Sequence, residues 1–227
     1  RGRSRFLADA GCQPTVFDKS RGVGGRMATR RAAWSSADGT EHRASFDHGA
    51  PGFGARSPEF LRFVEQARRD GLLARWEPRI APGSYAPLDD PALWVPVPDM
   101  PALCRALLSG LTLRPDCLVD TLEAGPGGWR LRAAGAVVGE GFDAVVVTTP
   151  PLQAAPLLQP HQPEWAQRAQ ALAMLPDWTL MAVTDDVASG AAGEVAWPTT
   201  GPIASIVRHD AKPGRERVAG QAQWVVH

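Results

Sequence analysis

Residues 14–27 read PTVFDKSRGVGGRM, in which a short apolar run is followed by an acid and then by a glycine-rich loop. The preceding residues 4–10 end at Gly11 and indicate the last turns of a helix with a glycine stop. Helix, tight turn, strand and terminal acid form the second half of a nucleotide-binding βαβ unit, in which the acid binds the ribose hydroxyls. Asp18 is in the position of that acid, although an acid after a strand also serves as a turn or helix cap.

The rest of the chain predicts alternating helices and short strands. Helices are expected from Pro58 to Gly71, over 101–109 and over 164–175, where prolines, caps and helical spacing of apolar residues agree. Strands are expected over the following ranges: 30–34, 43–47, 117–123, 129–133, 143–147, 178–184, 195–197, 203–208 and 222–226. The strand at 143–147 is an unbroken apolar run, which is typical of a fully buried strand.

Composition and charge exclude several classes of protein. The 227 residues carry 24 basic and 24 acidic side chains, so the net charge of +0 provides no field for gathering nucleic acid or an anionic membrane. The longest apolar runs are strand-sized, so no membrane segment is predicted. The 3 cysteines are odd in number and lack a C-x-x-C pair, which favours neither a disulfide framework nor a zinc site. We expect a cytoplasmic protein without a metal.

Six motifs occur in a definite order along the chain. They are VFDKSRGVGGRM at 16–27, FDHGA at 46–50, ARSPEF at 55–60, PVPDM at 96–100, GWRL at 128–131 and KPGR at 212–215. In this order they resemble the motifs of the renalase-like bacterial branch of the FAD-dependent amine oxidase superfamily. The resemblance covers the chain from about Ala8 to His227.

The resemblance implies an α/β fold, with an FAD-binding Rossmann-like domain and an inserted mixed-sheet substrate domain. It assigns residues 1–56 and 99–155, the latter with a β-meander, to the FAD-binding domain. It assigns residues 57–98 and 156–227 to the substrate domain. A glycine turn about 20 residues before Asp18 would lie upstream of Arg1. Either the βαβ pattern is coincidental, or the chain is truncated at both ends and lacks its first βα turn. In that case the chain alone is expected to hold FAD weakly.

The resemblance also implies FAD as the cofactor and assigns residues to each part of it. A ribose suits a carboxylate, a pyrophosphate suits a guanidinium and backbone N–H groups, and a flavin ring requires close backbone packing. The residues assigned in chain order are Asp18 and Lys19 at the ribose, Gly24, Gly25 and Arg26 at the pyrophosphate and flavin, Gly49, Ala50, Pro51 and Gly52 at the flavin, and Val119 at the adenine.

Two features leave the assignment open. Arg26 is also compatible with a surface arginine beside a glycine loop. Where the family reads Gly-Ala-Gln-Tyr-Phe, this chain has Pro51 and Gly52 in place of the glutamine and tyrosine, which removes an amide and an aromatic wall.

His48 and His209 lack partners at metal-ligand spacing, and they are read as solvent-facing or hydrogen-bonded histidines.

Three functions remain in competition. The first is a renalase-like flavoenzyme that oxidises the 2- or 6-dihydro isomers of NAD(P), with dioxygen as the electron acceptor. The flavin performs that chemistry, so no catalytic side chain is named. The second is an amine oxidase acting on an amine-like donor, against which the scarcity of lysine and the single tyrosine, Tyr85, argue. The third is a truncated, non-catalytic flavoprotein fragment.

Overall fold

The computed structural model describes residues 2–85, 92–186 and 193–227. These residues divide into two compact units. Unit one takes its described residues from 2–10, 23–110 and 177–227, and unit two consists of residues 11–22 and 111–176. The chain therefore passes from unit one to unit two and back twice.

Along the described chain, helices separate runs of two to four strands. The helices are α1 (Gly2–Asp9), α2 (Pro58–Arg69), α3 (Pro101–Leu108), α4 (Pro151–Leu158) and α5 (Pro163–Gln170). The strands are β1 (Thr15–Phe17), β2 (Thr29–Ser35), β3 (Glu41–Asp47), β4 (Leu73–Trp76), β5 (Leu93–Pro96), β6 (Thr112–Arg114), β7 (Thr121–Gly125), β8 (Gly128–Ala133), β9 (Ala136–Phe142), β10 (Leu180–Asp185), β11 (Val195–Ala196), β12 (Ile206–Arg208) and β13 (Gln221–Val226). Short 3₁₀ turns lie at Gly25–Met27 and His209–Ala211.

Proline marks the first position of four helices, α2 to α5. At this position the missing N–H is not needed by the helix, and the fixed φ of proline already suits it. The start of α2 is further fixed by Ser57, whose hydroxyl accepts a hydrogen bond from the backbone N–H of Phe60 at 3.2 Å. Gly71 and Gly110, at φ 72° and 75°, follow α2 and α3. The helices predicted from Pro58 and over 101–109 are therefore confirmed.

Unit one contains two hairpins and an antiparallel sheet. β2 pairs with β3, and β4 pairs with β5. The named strands of the larger sheet are ordered β10-β13-β12-β11 and are all antiparallel. An isolated parallel bridge joins Ile80 to Val195. The sheet that was expected to be mixed is thus antiparallel, with one isolated parallel bridge at Val195 of β11.

The core of unit one holds the open end of the first hairpin in place. Ala44 and Phe46 of β3 are buried together with Val225 of β13. Side chains alternate along a strand, so Ser45 and Asp47 lie on the opposite face from Ala44 and Phe46. That second face carries the polar groups discussed below.

Unit two is built on the parallel pair of β1 and β6, in which Val16 aligns with Leu113. The antiparallel meander β7-β8-β9 and the helices α4 and α5 complete it. Its core is centred on Leu122, Leu131 and Leu157, with Phe17 packed against them.

The prediction of a strand over 143–147 was wrong. β9 ends at Phe142, residues 144–148 lie outside any strand, and Val146 is 52% exposed. The reason is the turn at Ala134 and Gly135, whose φ values of 49° and 80° fit a two-residue hairpin. Because β9 begins directly after this turn, residues 136–142 take the third place in the meander.

The helical prediction over 164–175 was too long at its end. α5 stops at Gln170, and Leu175 is 88% exposed. α4 was not predicted at all, because prolines at both Pro151 and Pro156 read as turn signals.

Candidate functional site

Asp18 lies at the carboxyl end of β1, the edge at which parallel sheets bind ligands. Its backbone N–H donates to the Arg114 carbonyl at 3.0 Å, and its own carbonyl accepts from the Cys117 N–H at 3.0 Å. Its carboxylate Oδ1 accepts from the backbone N–H of Ser20 at 2.9 Å. The acid is half-buried in unit two, and its carboxylate forms an Asx turn with Ser20.

Lys19 and Val119 lie in the same unit as Asp18. The Lys19 ammonium is on an exposed side chain and donates to Gln153 Oε1 at 3.1 Å. Val119 is half-buried against the core of unit two. The Asp18–Cys117 backbone bond joins the acid to the segment that leads to Val119.

The glycine loop of unit one adopts a backbone that favours glycine. Gly24 and Gly25 have φ values of 135° and 54°. A Cβ at Gly24 would lie 3.1 Å from the Met27 carbonyl oxygen, whereas a Cβ at Gly25 would meet nothing within 4 Å. Gly25 thus faces open space that another molecule can enter.

Arg26 projects from this loop with an exposed side chain. Its guanidinium has no hydrogen bond or ion pair with the part of the chain that the structure describes. Its carbonyl, in contrast, accepts a hydrogen bond from the Ala50 N–H at 2.9 Å. A Cβ at Gly49 would overlap that same carbonyl, so only glycine allows this approach. The structure therefore brings together the predicted residues Arg26, Gly49 and Ala50.

Pro51 and Gly52 lead from this contact to β5. A Cβ at Gly52 would lie 2.9 Å from Leu93 Cβ and 3.1 Å from the Trp94 carbonyl oxygen. Phe53 exchanges backbone hydrogen bonds with Trp94 at 3.0 and 2.9 Å. A larger residue at position 52 would therefore collide with β5. This close packing is a structural reason for glycine at this position.

Asp47, at the end of β3, is the centre of a buried ionic cluster in unit one. Its Oδ2 accepts from Arg215 Nη2 at 2.6 Å and Nε at 3.0 Å, and from Lys212 Nζ at 3.4 Å. Its Oδ1 accepts from the Thr29 hydroxyl at 2.6 Å. The side chains of Asp47, Lys212 and Arg215 are only 0%, 1% and 2% exposed.

Burial and neighbouring charges shift the pKa of Asp47 in opposite directions. Burial alone would raise the pKa of Asp47, but the charges of Lys212 and Arg215, followed by smaller effects of His209 and Thr29, bring it down to about 2. Burial lowers the pKa of Lys212 to about 8 despite the attraction of Asp47. One carboxylate thus faces two cations, and the cluster holds more positive than negative charge.

His209 completes the cluster as a neutral ring. Burial lowers its pKa to about 4, against the opposing effect of the Asp47 charge. Its Nδ1 accepts a hydrogen bond from the backbone N–H of Asp47 at 3.2 Å. A nitrogen that accepts carries no proton, so the proton of the neutral ring is on Nε2. The reading of His209 as a hydrogen-bonded histidine is confirmed.

A cavity of about 190 Å³ in unit one adjoins this cluster. Asp47 and Arg215 form part of its wall, and its other polar lining residues are Thr29, Arg31, Ser45, Asp99, His209 and Glu216. Arg31 has an 82% exposed side chain, and its Nη2 lies 3.8 Å from Asp99 Oδ2.

Sequence reasoning missed this cluster as a unit. Asp47 and Arg215 are separated by 168 residues, so no local spacing relates them. The available signal was the motif order, in which FDHGA and KPGR each carry charged residues beside glycine.

Residues 4–67 match the model of the NAD(P)-binding Rossmann-like domain. The matched segment contains Asp18, the Gly24-Gly25-Arg26 loop and Gly49-Ala50. Domains of this kind are typical of FAD-dependent oxidoreductases, including the amine oxidase superfamily, and a dinucleotide such as FAD fits them.

Two further properties concern the described part of the chain. None of its helices has the length and apolar character needed to cross a bilayer. Within residues 2–85, 92–186 and 193–227, no three histidine, cysteine or acidic side chains converge as metal ligands would.

Proposed function

We propose that this protein is an FAD-dependent oxidoreductase that oxidises the 2- or 6-dihydro isomers of NAD(P), with dioxygen as the final electron acceptor. The observation that carries the proposal is the Arg26 loop within the Rossmann-like match. There, an exposed guanidinium without a protein partner among the described residues stands beside Gly25, which faces open space.

The residues present fit the chemical groups of FAD. A guanidinium and backbone N–H groups suit a pyrophosphate, and we assign Arg26, Gly24 and Gly25 to it. A carboxylate at the end of a parallel strand suits a ribose diol, and we assign Asp18 to it. Val119 and Lys19 are assigned to the adenosine portion on the family resemblance alone.

The segment of residues 49–52 is assigned to the flavin ring. When bound, the flavin would supply the redox chemistry: it would accept the donor's hydride, and dioxygen would take up the two electrons, that proton and one further proton from solvent to give hydrogen peroxide. The protein's part is to hold the backbone of Gly49 and Ala50 at a fixed position. Asp47 does this from one side through its buried ion pairs, and the Arg26–Ala50 hydrogen bond does it from the other. No side chain of this chain is required to move a proton.

An amine oxidase is the second candidate, and one observation favours it. Lys212 in unit one is buried, and burial lowers the pKa of its amine to about 8. Against it, this amine is hydrogen-bonded to Asp47, and Tyr85 is 64% exposed rather than part of a cage. A non-catalytic flavoprotein is the third candidate.

Anaerobic mixing tests these candidates against one another. The FAD-loaded protein is mixed with 6-dihydro-NAD, with ordinary 4-dihydro-NADH and with a primary amine, and loss of flavin absorbance is followed. We expect rapid bleaching by the 6-dihydro isomer and slow bleaching by the other two. Faster bleaching by the amine would establish the second candidate, and no bleaching by any donor would establish the third.

A further inference from the structure

The Arg215 side chain contacts the two strands between which the segment of residues 49–52 runs. Its Nε and Nη2 groups donate to Asp47 Oδ2 at 3.0 and 2.6 Å, just before this segment begins. Its Nη1 donates to the carbonyl oxygens of Pro96, at 2.6 Å, and of Pro213, at 2.8 Å. The guanidinium therefore joins the last residue of β3 to the last residue of β5.

The far end of the segment is held by β5. Phe53 and Trp94 exchange backbone hydrogen bonds at 3.0 and 2.9 Å. β3 pairs with β2 and β5 pairs with β4, so the two strands belong to different hairpins. The contacts therefore form a closed path, which runs along the chain from Asp47 to Phe53, crosses to β5 and returns through Arg215.

The chemistry of these contacts suits an arginine. The side chains of Arg215 and Asp47 are 2% and 0% exposed, and Pro96 is buried, so the Pro96 carbonyl needs a donor within the protein. A guanidinium presents five donors in a rigid planar fork, which allows it to bind a carboxylate and backbone carbonyls at fixed angles. A lysine carries its charge on one atom at the end of a flexible chain. Arg215→Lys therefore keeps the charge and loses the geometry.

We propose that Arg215 is a positioning residue for the flavin ring, because it sets the separation of β3 and β5 that residues 49–52 span. Arg215 acts on the ring through Asp47 and Pro96, and the segment between the two strands makes the contact. The inference rests on the proposed function in so far as this segment binds the flavin. The closed path itself does not depend on a cofactor, so it can be tested in the protein alone.

Amide hydrogen exchange of the protein without added FAD tests the closed path. The reporters are the Ala50 N–H, which donates to the Arg26 carbonyl, and the Phe53 N–H, which donates to β5. In Arg215→Lys we expect both amides to exchange at least about tenfold faster, while the amides shared by β12 and β13 exchange as in the wild type. Unchanged exchange of both reporter amides in a folded Arg215→Lys protein overturns the inference.

Titrations with FAD and with ADP test the consequence for the ring. ADP shares the adenosine and the pyrophosphate with FAD but lacks the flavin. Arg215→Lys should bind FAD about tenfold more weakly than the wild type, as for the loss of one hydrogen bond, and should bind ADP equally well. An equal loss of affinity for both ligands overturns the inference, because the variant would then disturb more than the placement of the ring.

Arg208→Lys is the matched control for Arg215→Lys. Arg208 is also a forked arginine of unit one, since its Nε and Nη2 donate to Asp210 and its Nη2 also donates to Asp186. Its side chain is 12% exposed, and these partners lie outside the closed path. The control should bind FAD as the wild type does and keep the exchange rates of Ala50 and Phe53. Equal effects of the two lysine variants overturn the inference.

A measurement on the wild type decides the matter if Arg215→Lys does not fold. Hydrogen exchange at increasing denaturant gives the free energy at which each amide opens. Ala50 and Phe53 should open together at one free energy, because the closed path includes both of them. Independent opening of the two amides overturns the inference.

The inference and the proposed function fail in different ways. If the wild type binds FAD and Arg215→Lys binds it equally well, the positioning role of Arg215 fails and the proposed function stands. If the wild type binds no FAD, the proposed function fails, and the role of Arg215 toward the flavin fails with it.

Discussion

Asp18 directly follows β1 and Asp47 is the last residue of β3, and each is followed by a segment that contains glycine, but their surroundings differ. Asp18 in unit two is half-buried and uses one carboxylate oxygen to accept from the Ser20 N–H. Asp47 in unit one is fully buried and accepts from Thr29, Lys212 and Arg215. An aspartate at the end of a strand thus has two different roles. Asp18 accepts a hydrogen bond within a turn, whereas Asp47 pairs with buried cations.

The two acids differ in where their partners lie along the chain. The cations that pair with Asp47 Oδ2 come from a segment far away in the chain, and Oδ1 accepts from Thr29 on the neighbouring strand β2. The Ser20 N–H, from which the Asp18 carboxylate accepts, lies two residues away. A buried carboxylate that pairs with two cations stabilises the fold, whereas Asp18, half-buried just after β1, is the acid that we assign to a ribose.

Replacing Asp47 should produce the largest loss of stability. Asp47→Asn removes the charge that Lys212 and Arg215 face, and breaking a buried pair by removing one partner costs about 3–5 kcal/mol. Asp18→Asn is the matched control and should change the free energy of unfolding by less than about 1 kcal/mol, because the asparagine oxygen still accepts from Ser20. Urea unfolding measures both. Similar losses in the two variants would remove the distinction between the two acids.

Acidification should weaken unit one through His209. Its pKa is lowered from 6.5 to about 4 in the folded state, so between these values the unfolded state binds the additional proton. The free energy of unfolding should therefore fall as the pH drops from 6.5 to 4, by up to about 3 kcal/mol from this group. His209→Gln should show a smaller fall across this window. An identical pH profile for the variant and the wild type would contradict the burial of a neutral His209.

Lys212 should behave differently from Asp47, although both belong to one cluster. Burial dominates its pKa, which means that its charge is disfavoured in the folded state. Lys212→Met should therefore change the free energy of unfolding by no more than about 1 kcal/mol at neutral pH, since Arg215 still pairs with Asp47.

The pH dependence of Lys212 supplies the check. The folded lysine releases its proton near pH 8 and the unfolded one near 10.5, so the unfolded state binds more protons in that window. Wild-type stability from this group rises with pH there, and the rise should be absent in Lys212→Met. A large loss in the variant at pH 7 would mean that the lysine is a stabilising partner of Asp47.

Local signals were enough to predict much of the fold. Ser57 and Pro58 placed the start of α2, and the predicted strand ranges 30–34 and 43–47 lie within β2 and β3. The prediction failed at residues 143–147, where the turn at Ala134 and Gly135 changes which residues form the third strand of the meander. A short apolar run does not carry that information by itself.

In the candidate site, too, one contact joins motifs visible in the sequence, whereas another depends on packing between distant segments. The contact between Arg26 and Gly49 joins two glycine motifs that the sequence already singled out. The ion pair of Asp47 with Arg215 depends on how β3 packs beside the chain after His209, which no local pattern encodes. The cavity beside it follows from that packing and was not predictable from spacing.

Titration of FAD with the purified protein, followed by flavin fluorescence, tests the central claim most directly. The account predicts saturable binding that weakens by roughly tenfold to a hundredfold in Arg26→Ala, the range for a lost hydrogen bond to a charged group. Arg30→Ala, which removes a nearby exposed arginine, should bind FAD as the wild type does. Equal FAD affinity in the wild type, Arg26→Ala and Arg30→Ala, or no saturable binding of FAD by the wild type, would contradict the account.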